Sequence, residues 1–269
     1  MTAPEHPREL HPRARARGVA STLLALCALL AFSGAAAAEM ALSVGSEFRT
    51  GDYGTGDDIE DIYAPVSLDV LSGQLLFQLT VPYVHVDGPA ASLIGPGDVL
   101  PGGSDNISEG GLGDVVASVT LRDLYRSYSG DFAVDLTGTV KLGTGDEDNG
   151  LGTGETDYAA QVDVYRFLDA GSVFGSLGYK IRTDPSGYDL RNTWFAQAGA
   201  SREIRRNTSL GASLSYRPKA ISYGDPASEL TVFGTQTLNR DLRVTGYVLA
   251  GLADGSPDWG AGFSVKHWF

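Results

Sequence analysis

The chain has 269 residues, 42% of them hydrophobic, and 33 acidic against 20 basic side chains give it a formal net charge of −13. That balance argues against nucleic acid as a partner, and the length suits one large domain. The single cysteine, Cys27, lies in a leader-like stretch, so disulfides and thiolate-held metals are excluded from the exported protein.

Arg8, Arg13, Arg15 and Arg17 precede an apolar run over 19–32. A run of that length matches a signal-peptide core and is too short to span a bilayer as a helix. Cleavage is expected after Ala36-Ala37-Ala38, making 1–38 a signal peptide and 39–269 one exported domain. Cys27 follows Leu26, where a lipoprotein processing site needs a small residue, so lipidation is not expected. Without the leader, 16 basic and 31 acidic side chains remain.

No later stretch is apolar for about 18 consecutive residues, the length of a spanning helix. In hydrocarbon the other structure that satisfies every backbone polar group is a closed barrel. Period-two alternation predicts strands at 42–49, 62–71, 74–85, 112–122, 131–142, 157–167, 173–182, 194–202, 210–217, 229–238, 242–252 and 259–269. In 131–142, Phe132, Val134, Leu136, Val140 and Leu142 alternate with Asp131, Ala133, Asp135, Thr137, Thr139 and Lys141. A helix cannot segregate that pattern. The connectors alternate between short ones and long ones rich in Gly, Pro and Asp (50–61, 86–111, 143–156, 183–193, 218–228 and 253–258), as in outer-membrane barrels.

The expected fold is therefore all-β, a transmembrane antiparallel up-and-down β-barrel of about 12 strands with both termini in the periplasm. A secreted β-sandwich also alternates. The barrel is favoured by the charged partners of the apolar face and by Tyr83, Tyr158, Tyr179, Trp194, Tyr216 and Trp259 near strand ends, where an interfacial girdle needs amphipathic rings. In the last strand Phe263, Val265, His267 and Phe269 share one face. This ending resembles the C-terminal signal read by the outer-membrane barrel-assembly machinery.

Three stretches carry a family resemblance: Gly111-Leu112-Gly113-Asp114-Val115; Lys141-Leu142-Gly143-Thr144-Gly145-Asp146 followed by Gly150-Leu151-Gly152-Thr153-Gly154; and Gly175-Ser176-Leu177-Gly178-Tyr179. In this order they resemble the outer-membrane transporter family associated with meta-pathway phenol degradation. The resemblance covers 111–269 and implies a channel-like barrel passing small, often aromatic or hydrophobic molecules. Residues 87–110 match nothing in it.

Twelve strands leave a narrow lumen whose polar lining sets selectivity. Parity turns Glu47, Arg49, Asp69, Gln78, Asp114, Arg122, Asp135, Lys141, Asp157, Gln161, Asp163, Lys180, Arg182, Gln197, Arg217, Glu229, Arg243 and Lys266 inward. Asp114, Lys141, Asp157, Lys180 and Arg182 lie beside the family-like segments and are the candidates for the rim and constriction. Antiparallel pairing is expected to set Arg122 opposite Asp131 and Asp157 opposite Arg182; such pairs either brace the wall or screen solutes. Tyr63, Tyr165, Phe174, Phe195, Tyr247 and Trp268 also point inward, to fill space or to contact a ligand.

The acidic segment 143–157 places Asp146, Asp148 and Asn149 before Gly150 but fails the EF-hand spacing, so a solvated hairpin loop is expected. The acidic first loop, with Asp52, Asp57, Asp58, Glu60 and Asp61, is likewise expected to stay hydrated. Only His85 and His267 follow the leader, and no serine stands two residues after His85. A catalytic base beside a nucleophile is therefore not predicted, and no cofactor or metal site is expected. The functional expectation is passive diffusion of a small organic solute across the outer membrane, with lipid and lipopolysaccharide around the wall. The alternatives are a plugged structural or interaction barrel and a lipid-acting hydrolase.

Overall fold

The computed structural model describes residues 38–54, 56–89, 92–95, 98–100 and 106–269. The expected signal peptide lies outside the described residues except for Ala38. The strands are β1 (Glu39–Gly51), β2 (Ile59–Ser72), β3 (Leu75–Pro89), β4 (Ser92–Gly95), β5 (Asp98–Leu100), β6 (Asn106–Leu112), β7 (Val115–Arg126) and β8 (Phe132–Leu142). They continue with β9 (Asp157–Leu168), β10 (Gly171–Ile181), β11 (Thr193–Arg205), β12 (Thr208–Arg217), β13 (Ala227–Thr237), β14 (Leu242–Gly251) and β15 (Trp259–Trp268). β4 and β5 pair only with each other; the rest make one antiparallel sheet.

That sheet closes on itself. β1 pairs with β15 on one side, from Ala41 opposite Trp268 to Thr50 opposite Trp259, and with β2 on the other. β2 pairs with β3, and β3 pairs with both β6 and β7. β6 and β7 form one stave interrupted at Gly113-Asp114, so the barrel has twelve staves, as the alternation predicts.

The register shows why the pattern alternates. Val44, Val66 and Val81 form a row across β1, β2 and β3 and are exposed at 48%, 45% and 36%. Aliphatic side chains that open, repeated around the wall, are suited to hydrocarbon rather than water. Tyr83, Tyr158, Tyr179, Trp194, Tyr216 and Trp259 point outward near the end that bears the long connectors. Trp194 and Tyr216 touch, with ring centroids 5.2 Å apart. We call this end the loop end and the opposite one, where Glu39 and Phe269 lie, the terminal end.

Two expectations change. The connector 86–111 is partly strand: β3 runs on to Pro89, and β6 pairs with it from Asn106 opposite Pro89 to Leu112 opposite Tyr83. Arg122 does not face Asp131, because the β7–β8 register shifts between Leu121 and Tyr125 and Asp123 adopts φ +52°. Asp131 instead pairs with Arg166 at 2.9 Å, and Asp123 donates its backbone N–H to Asp135.

Val265 sits opposite both Val44 and Val244, inside the stave that closes the barrel. Proline there removes a ladder donor where no edge exists to tolerate it. Val265→Pro is expected to abolish the compact, heat-modifiable band of the folded barrel on unboiled gels, while Val265→Ile keeps it.

Candidate functional site

The break between β6 and β7 frees Asp114 from the ladder and buries it at the loop end. Its Oδ1 accepts the backbone N–H groups of Thr144 at 3.0 Å and Gly145 at 2.9 Å, and its Oδ2 accepts that of Thr153 at 3.4 Å. Lys141 Nζ stands 2.7 Å from Asp114 Oδ2 and also donates to Thr153 Oγ1 at 2.7 Å and the Glu155 carbonyl at 3.2 Å. Asp157 Oδ2 lies 3.5 Å from Lys141 Nζ and 3.7 Å from Lys180 Nζ. Four of the five candidate residues thus join in one charge network, beside the connector 143–156.

Arg182 sits next to that network. Its Nη1 donates to the Arg191 carbonyl at 3.0 Å and to Thr193 Oγ1 at 2.6 Å, and its backbone N–H goes to Asn192. Thr183 donates its backbone N–H to Asp157 Oδ1 at 3.1 Å.

Only the tip of 143–156 is a solvated loop: Asp146, Glu147 and Asp148 are exposed, but Gly150, Leu151, Gly152 and Thr153 are buried. The glycines allow this. A Cβ on Gly143 would lie 2.1 Å from the Gly154 carbonyl carbon, and one on Gly152 would lie 2.6 Å from Asp114 Oδ1. The chain crosses itself and wraps a carboxylate more tightly than side chains permit.

Leu151 packs with Tyr53, Ile59, Val84 and Val86 in a small apolar core inside the mouth. Tyr53 donates to Asp61 Oδ1 at 2.8 Å. Burial and the adjacent Asp61 carboxylate push the Tyr53 phenol far above its ordinary value, so it remains a donor. Arg49 Nη2 lies 3.1 Å from Asp61, and its Nε lies 2.8 Å from Glu47.

These contacts extend around the mouth. Leu151 of 143–156 shares one apolar cluster with Tyr53 of the first connector, and Gly54 approaches Asp225 so closely that a Cβ would be 2.9 Å from its Oδ2. Gly255 N–H donates to the Pro226 carbonyl, linking the last two long connectors. Arg191 N–H donates to the Ala220 carbonyl, beside a buried Leu190–Ile221 contact. Thr183 Oγ1 then donates to the Thr156 carbonyl at 2.6 Å and returns to the start. Five connectors therefore form a continuous collar.

Below the collar the polar wall is largely self-satisfied. Thr120 and Thr137 share a hydrogen bond of 2.8 Å, as do Ser67 and Thr80. Gln161 and Ser176 donate to Asp163, while Gln78 and Lys266 both engage Asp69. Phe174, Phe195 and Tyr247 lie against glycines of neighbouring staves, and Phe233, missing from the expectation, does the same. Parity from the inward Glu229 would have found Phe233. Tyr63 packs on the apolar core, Tyr165 stacks on Phe167, and Trp268 lies under Arg243 and Lys266.

His85 and His267 stand near opposite ends of the barrel, on β3 and β15. Among the described residues no group of three or more His, Cys, Asp or Glu could hold a metal.

Removing one member of a buried ion pair strands the other and costs about 3–5 kcal/mol. Asp114→Ala is expected to lower unfolding stability in urea by about that amount. The double variant Asp114→Ala/Lys141→Met should lose less than the sum of the two single changes, because the partners are coupled.

The family model described as "Putative MetA-pathway of phenol degradation" matches residues 54–265. No curated protein matches the chain. Among solved structures, the β domain of the Bordetella autotransporter BrkA is similar at TM-score 0.54 and 14% identity, covering 87% of this chain and all of that one. The KdgM porin is similar at TM-score 0.48 and 9% identity, covering 84% of this chain and 98% of that one. The CymD monoaromatic hydrocarbon channel is similar at TM-score 0.46 and 10% identity, covering 86% and 88%. At 14% identity the likeness to the BrkA β domain speaks for the fold alone: a closed antiparallel barrel of the outer-membrane kind.

Proposed function

The chain belongs to this phenol-degradation family, and from that premise we propose that it is an outer-membrane channel through which a small organic solute, aromatic or hydrophobic, diffuses passively. The observation that carries the reading is the parity of the wall. Aliphatic side chains face outward and hydroxyl, carboxylate and basic groups face inward through the whole ring of staves, which supports a wetted lumen. The solute then moves down its own gradient, without a cofactor or energy coupling.

In this reading lipid and lipopolysaccharide surround the girdle, and the termini lie in the periplasm. The barrel-assembly machinery reads the outward face of Phe263, Val265, His267 and Phe269. Asp114, Lys141 and Asp157 set the constriction by holding 143–156 across the mouth, and Lys180 and Arg182 brace the adjoining connector.

A second reading, a plugged barrel acting through its loops, draws support from the collar, which joins five connectors without a break. Planar-bilayer recordings of the refolded protein separate the two. The channel reading expects stepwise openings whose conductance rises in Asp114→Asn, where the weakened anchor lets 143–156 withdraw. A steady absence of openings in wild type and variant alike would favour the plug.

A further inference from the structure

Four inward aromatic rings share one arrangement, and it is confined to one half of the wall. Phe195 faces Gly178, Phe174 faces Gly199, Phe233 faces Gly211 and Tyr247 faces Gly262, each as a direct cross-strand pair. A Cβ built on those glycines would lie 2.2, 2.5 and 2.3 Å from the Cζ of Phe195, Phe174 and Phe233, and 2.6 Å from the Cζ of Tyr247. Each ring therefore lies flat in the space that a side chain would otherwise take. All four remain half-buried, so part of each ring stays open to the lumen.

The placement is not random packing. Phe233 and Tyr247 are themselves cross-strand partners on β13 and β14, yet each leans away from the other onto the glycine on its far side. The row Gly211, Phe233, Tyr247, Gly262 thus opens between its two rings. Four residues along β10 and β11, about 13 Å at strand spacing, separate the Phe195 and Phe174 pairs. Six staves away from β13 and β14, β7 and β8 turn hydroxyls and a carboxylate inward, with Thr120 bonded to Thr137 and Asp135 beside them. The ring side has polar groups of its own, with Thr235 bonded to Thr245 and Gln197 to Ser213, but among the described residues it is the side where rings are seated on bare glycine backbone.

We propose that Phe174, Phe195, Phe233 and Tyr247 form a stacking wall that selects solutes carrying a flat aromatic ring, which slides along it while polar substituents meet the β7–β8 side. This deepens the channel reading and rests on it. Offset stacking on an exposed ring face favours a planar π-system over a saturated ring of the same bulk, and the recessed rings leave room for it.

The test uses two cations of equal charge and near-equal size that do not dissolve through lipid, phenyltrimethylammonium and cyclohexyltrimethylammonium, added to single-channel recordings. The phenyl cation is expected to interrupt the current with dwell times on the order of fivefold longer, the scale of one aromatic contact. Phe174→Leu/Phe195→Leu should erase the difference in dwell time, and Phe233→Leu alone serves where the pair does not fold. Gly178→Ala should lower the conductance, since the three atoms nearest the new Cβ are Phe195 ring atoms, at 2.2–2.7 Å, and the ring is driven off the wall. Equal dwell times in the wild type, or a preference that survives loss of the rings, overturns the stacking wall while the channel stands. A wild type with no openings overturns the channel reading and the wall with it.

Discussion

Everything in this architecture follows from one requirement: a chain among lipids must bond every backbone N–H and C=O to itself. The pairing of β1 with β15 meets it by removing the sheet's edges. Closure then dictates the inversion of ordinary packing, with aliphatic groups outside and polar groups inside, because alternate residues have only two faces to choose from. Pro65 faces Pro82 across β2 and β3, two residues without N–H groups to give to the staves on their far sides. The Pro82 carbonyl turns to the next stave, where it accepts the Gly113 N–H at 2.9 Å. Directly after this bond the stave is interrupted between β6 and β7, and there Asp114 leaves the ladder.

Asp114 shows how a barrel can use a buried charge. A carboxylate withdrawn from water needs compensation of comparable strength; three backbone N–H groups and one ammonium provide it. All three N–H groups come from the connector that follows the stave of Lys141, so satisfying the charge and folding 143–156 into the mouth are one event. The collar extends this logic by less costly means, through backbone hydrogen bonds and two small apolar clusters.

The staves were legible because the two-faced environment leaves a period of two, and all twelve predicted runs overlap a strand of the barrel. Legibility stopped where the contrast between faces stopped. Asn106–Leu112 reads as NISEGGL, without alternation, because it pairs with the end of β3 at the loop end, past Tyr83 and its neighbours in the girdle. The candidates Asp114, Lys141, Asp157 and Lys180 were found by parity, and the structure brings them together. Their actual partners were not legible: Thr144, Gly145 and Thr153 lie 30 or more residues from Asp114 and donate through their backbones, which leave no trace in side-chain type. The glycines were visible as residues but not as two populations, those that wrap the Asp114 carboxylate and those that seat a ring.

The seating glycines bear on where selectivity can reside. A charge that lines a lumen acts on a solute only with the field left over after its neighbours are counted. Asp69 is engaged by Gln78 and Lys266, Asp163 by Gln161 and Ser176, and Glu229 by Arg217 at 2.5 Å. The ion pairs at Asp69 and Glu229 offset charge on the wall, whereas the neutral donors on Asp163 fix its carboxylate in place. What then differs from place to place along the lumen is shape and polarisability, and both change most sharply where a ring lies over a glycine. If the barrel conducts as proposed, the stretches where inward charges are paired are thus better suited to discriminate among uncharged or weakly charged molecules by their flatness than among ions by their sign.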